Sequence, residues 1–126
     1  MSTGITYVSE AAVAPDALLV PSGQPMDLFE VLVDRVDAET WIRFRFVVPS
    51  IARARGEVSF FDVQDDFEYL CTRVALPYLI ERNLSADAVV VSLLDQPAEF
   101  GQADETVTQF VEVFRVTDGI CAWEAL

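Results

Sequence analysis

The 126-residue chain contains no histidine and no lysine, so all eight of its basic residues are arginine. The first absence removes imidazole as a general base, the Ser-His and Cys-His nucleophile pairs, and histidine metal ligands. The second removes Schiff-base lysines and the lysine of phosphate-binding loops. Only two cysteines occur, Cys71 and Cys121, without the C-x-x-C spacing of a zinc or thioredoxin-type site. They admit two readings: one long-range disulfide, or a pair of reduced core thiols. Long apolar runs are missing too. The longest, near residues 74–80 and at Ala88–Leu94, fall far short of the roughly 20 residues a membrane-spanning helix needs, so no membrane insertion is expected. The start of the chain lacks a basic region followed by an unbroken apolar one, so no export signal is visible. A periplasmic location is expected if such a signal was removed, and a cytoplasmic one otherwise.

What is present is apolar and acidic. Hydrophobic residues make up 52% of the chain, enough to build a core and offset the entropy of ordering it. Acidic residues number 21 against the eight arginines, a formal charge of −13. Such a surface repels phosphate, so nucleic acid is not an expected partner, whereas a basic protein is. The length fits one domain.

Residues 1–17 show no sustained periodicity and read as a flexible N-terminal arm, leaving residues 18–126 as a single α+β domain. Residues 28–35 and 40–48 alternate apolar and polar, as strands do. With a turn at residues 36–39, Val33 lies opposite Ile42, Val31 opposite Phe44 and Phe29 opposite Phe46. The same register sets Glu30 across from Arg45 and Asp34 diagonal to Arg43. A short strand is expected over residues 57–60. A helix follows with Asp62 as N-cap, and Val63, Phe67, Leu70, Cys71 and Val74 make its apolar stripe. Pro77 should kink it near Leu76, and it should end by Asn83. Ala88–Leu94 reads as a strand covered on both faces. A long acidic loop then leads to a strand over residues 107–116, and Asp118-Gly119 turns the chain into Ile120–Glu124. The order predicts a two-layer α+β sandwich, an antiparallel sheet of about five to six strands with one bent helix packed across it.

Residues 40–56 hold four arginines and no acid. Trp41, Arg43 and Arg45 on one strand face combine an aromatic plate with guanidinium forks that suit an anionic partner, unless Glu30 and Asp34 neutralise them across the hairpin. In the long loop, Glu99, Phe100 and Asp104 are candidate contacts, because structureless loops near a dozen residues are uncommon unless they bind something. The loop's acids match no calcium-loop spacing, so no metal site is expected. Glu112 lies between Phe110 and Phe114 on one strand face, where packing against the helix would draw its carboxyl out of water and raise its pKa. The alternative is a rim position. Cys71 on the helix stripe and Cys121 on the last strand both point toward the helix–sheet interface.

Several stretches carry a resemblance: PSGQP at residues 21–25, TWIRFRFVVPSIAR at 40–53, LCTRVALPYL at 70–79, VVVSLLDQPAEFG at 89–101, TQF at 108–110 and CAWE at 121–124. Together they resemble an uncharacterised family of small alphaproteobacterial proteins, some labelled acetolactate synthase. This chain is too short for that label and has no thiamine-diphosphate motif. The resemblance implies an exported protein whose cysteine pair meets an oxidising periplasm. It implies no activity and no catalytic residues.

The expected function is therefore an acidic, non-enzymatic binding, adaptor or inhibitor-like protein that recognises a basic protein partner without a cofactor. One alternative is a small carboxylate-dependent enzyme or ligand-binding domain using Glu112 with Arg43 or Arg45. Another is a structural subunit of an assembly.

Overall fold

Alternation of apolar and polar side chains forms the hairpin it predicts, β2 (Asp27–Val36) with β3 (Glu39–Val47), in the computed structural model. Residues 2–8 and 18–125 are described, the first group by backbone alone. Asp37 and Ala38, with φ of 48° and 68°, make the two-residue turn whose left-handed backbone matches strand twist. Val33 pairs with Ile42, Val31 with Phe44 and Glu30 with Arg45. A register shift between Leu28 and Glu30 puts Leu28, not Phe29, opposite Phe46. The extra residue of that bulge is Phe29.

The chain then makes a 3-10 turn at Pro49–Ile51 and enters α1 (Phe60–Leu70). No strand forms over residues 57–60. Ser59, not Asp62, is the N-cap: the Asp62 carboxylate reaches back and accepts from the Ser59 N–H at 2.8 Å. Helical structure continues through a π-helical turn at Cys71–Ala75 into α2 (Leu76–Glu81). The widened turn lies just ahead of Pro77, which has no N–H to donate to the carbonyl four residues back. Asn83, at φ 52°, ends α2, and the Leu84 N–H closes on the Leu79 carbonyl at 2.9 Å.

The helix returns the chain to β4 (Ala88–Leu94), which lies parallel to β3 with Phe44 beside Val91. The sheet is thus mixed, where an antiparallel one was expected. The crossover explains it: a strand, a helix across one face and a second strand in the same direction form a βαβ unit. All seven residues of β4 are buried. Strands β5 (Gln109–Thr117) and β6 (Ile120–Glu124) follow antiparallel, joined by Asp118-Gly119, with Val116 opposite Cys121 and Phe114 opposite Trp123. Ser2–Val8 forms β1 and pairs antiparallel with β2, completing six strands in the order β1 to β6. Those residues fall within the expected arm; residues 9–17, the rest of it after Val8, lie outside the described residues.

The result is an α+β sandwich. Val63, Phe67, Leu70 and Val74 of the helical segment pack on Ile42, Phe44, Phe46, Val89 and Val91 of the sheet. Cys71 and Cys121 are joined by a disulfide that ties the π-helical turn to edge strand β6. No helix among the described residues is long and apolar enough to cross a membrane.

Candidate functional site

Strand alternation sends Trp41, Arg43 and Arg45 to the sheet face opposite the helix, beside a small apolar cluster of Ala88, Val90 and Val113. Residues 95–108 fold back over this face. Asp95 accepts from the Thr108 N–H at 2.7 Å, and the Arg53 guanidinium donates to the carbonyls of Glu105 and Val107. Asp104 accepts from the hydroxyl and N–H of Thr106, and these bonds hold its carboxyl below the usual aspartate range. Phe100 is thereby placed 5.1 Å from the Arg43 guanidinium and 5.6 Å from that of Arg45. A cleft of about 460 Å³ results, and Arg43, Arg45, Ser92, Glu99, Phe100 and Asp104 line it. Trp41 flanks it, 5.9 Å from Arg43.

The sequence-nominated residues therefore converge, but both guanidiniums are already engaged. Arg43 donates to Asp34 at 3.0 Å, and Arg45 pairs with Glu30. Asp34 is 1% exposed, so the Arg43 pair is largely withdrawn from water on its acidic side. Beside them Arg115 bridges Glu39 at 2.7 Å and Glu124 at 2.9 Å. The bond from Arg115, then that from the Trp41 indole, holds Glu39 below the usual glutamate range, and the two carboxylates raise Arg115 above its ordinary value. Sequence reading found the first two pairs from the hairpin register. It missed the Arg115 clasp, which joins β3, β5 and β6 and has no short-range spacing.

A second concavity lies on the helix side of the sheet. About 570 Å³ in volume, it runs between α1 and the β5–β6 hairpin, with Asp65, Glu68, Tyr69, Glu112, Phe114 and Trp123 among its walls. Glu112 was nominated; here it stands half-buried on the groove wall, accepting from the Trp123 indole N–H. Arg43 and Arg45 project from the opposite face of the sheet, so the Glu112–arginine pairing expected of an enzyme does not form. Arg73 also borders the groove, with its guanidinium 5.6 Å from the Tyr69 ring. The helical wall escaped sequence reading. Its only trace is the row Asp65, Glu68 and Thr72 at helical spacing on the polar side of α1 and the π-helical turn.

A family sequence model matches residues 5–126 of the chain. The chain belongs to DUF6497, a family of unknown function. No curated protein and no solved structure matches it. In this member of DUF6497, no group of three Asp, Glu or Cys side chains among the described residues is placed to hold a metal ion. The two clefts are thus an arginine–aromatic cleft closed by internal ion pairs and an acidic–aromatic groove whose exposed wall is Trp123, 62% accessible.

Proposed function

We propose that this protein is a non-enzymatic binding module, adaptor or inhibitor-like, that docks onto a basic protein surface. The observation carrying this reading is the engagement of Arg43, Arg45 and Arg115 by carboxylates of the same chain. With those cations paired within the chain, the excess of 13 negative charges governs the field outside the molecule. Such a field steers basic partners, speeds encounter and repels acidic competitors. The disulfide supports an oxidising compartment, and we place the protein in the bacterial periplasm.

Affinity capture with the full disulfide-bonded chain tests the reading. A stoichiometric partner with a net positive surface is expected, and an acidic one contradicts it. Glu112 on the groove wall favours a second reading, a carboxylate-dependent enzyme. Turnover abolished by Glu112→Gln would establish that one instead.

A further inference from the structure

Strand β6 ends the six-stranded sheet, and its outer edge borders the acidic groove. In a two-residue hairpin the pair flanking the turn, Thr117 and Ile120, is the hydrogen-bonded one. Alternate residues then direct their backbone groups outward, so Cys121 and Trp123 offer N–H and C=O groups to a further strand. Both place their side chains on the helix side of the sheet. Residues of an added strand directly opposite them point the same way, because paired residues share a face, and opposite Trp123 that direction is the groove.

The groove's chemistry selects what such a strand carries. Asp65 and Glu68 stand on the helical wall and Glu112 on the sheet wall, with the Trp123 indole beside Glu112 and donating to it. Among the described residues Arg73 is the one cation lining the groove, and it lies over Tyr69. Three carboxylates beside exposed aromatic surface suit a guanidinium or ammonium, by charge-assisted hydrogen bonds and by stacking on indole.

We infer that an extended basic segment of the partner adds to β6 as a seventh strand and inserts an arginine or lysine between Glu68, Glu112 and Trp123. This rests on the basic-partner reading above and names its site. The disulfide pins β6 to the helical layer, so the edge and the groove keep their spacing before the partner arrives.

Fluorescence anisotropy with a labelled ten-residue peptide alternating arginine and valine tests the inference on the intact oxidised chain. Binding should weaken about tenfold in Glu68→Gln and in Glu112→Gln, the loss expected when a charged hydrogen bond is removed. Trp123→Ala should weaken it as well. Glu68 is exposed on the helix, so its variant keeps the fold. Glu81→Gln, exposed at the end of α2 and outside the groove, should bind like the parent. The same peptide N-methylated at its arginines should lose affinity, because the residues facing Cys121 and Trp123 then cannot donate to the edge.

Unchanged affinity in Glu68→Gln and Glu112→Gln, equal binding of the methylated peptide, or no binding at physiological salt overturns the inference. If the captured partner still binds with strong salt dependence in both variants, this site fails and the basic-partner reading stands. If the partner binds without salt dependence, that reading fails as well.

Discussion

Cys71 and Cys121 join the middle of the helical segment to the edge strand across 50 residues of sequence. Both are buried, at 0% and 8% exposure, so the bond lies inside the helix–sheet interface. Linking positions so far apart restricts the unfolded chain, and the chain-entropy estimate for such a loop is about 4 kcal/mol. Denaturant unfolding with and without reductant should show a loss of that order. Protein from its native source should show no titratable thiol under denaturing, non-reducing conditions. Two thiols there would mean the bond is not used.

The β2–β3 turn places Ala38 at φ 68°, a conformation that costs an L-residue roughly 1–2 kcal/mol and glycine little. Ala38→Gly should stabilise the fold by about 1 kcal/mol, read as a higher denaturant midpoint at unchanged slope. Gly119→Ala, at φ 73° in the second tight turn, should shift the midpoint the other way.

Asp62 accepts from the backbone N–H and the hydroxyl of Ser59, and these bonds hold its carboxyl below the usual aspartate range. The folded state therefore favours the ionised form. This contribution is complete above the unfolded aspartate pKa, near 4, and is lost as pH falls through the lower folded value. An NMR titration of the Asp62 carboxyl carbon should give a midpoint below the ordinary value. Asp62→Asn should remove this part of the acid-side loss of stability.

Local sequence signals explain why much of this fold was legible. Alternation specified both hairpins, Asp118-Gly119 marked the turn of the second, and facing apolar residues specified most of the registers, including the Glu30–Arg45 and Asp34–Arg43 pairs. The Phe29 bulge was not legible, since one extra residue leaves the apolar pattern on either side intact. The parallel β3–β4 pairing left a sign in the unbroken apolar run of β4, but direction depends on where the helix returns the chain. Long-range polar contacts were hidden for a similar reason. Asp66 reads as one more acid on a helix, yet it is fully buried and accepts from both the N–H and the hydroxyl of Ser22. The Glu112 groove needed the helix azimuth relative to β6, which the disulfide reports and the spacing of residues does not.

The proposed function rests on an anionic surface, with Arg43, Arg45 and Arg115 paired to carboxylates of the same chain, docking onto a basic partner. Stopped-flow association of the captured partner with the intact chain, from low to physiological ionic strength, tests it most directly. The association rate constant should fall about tenfold or more as salt screens the field, with a much smaller change in dissociation. An association rate that does not change over that range would contradict the account.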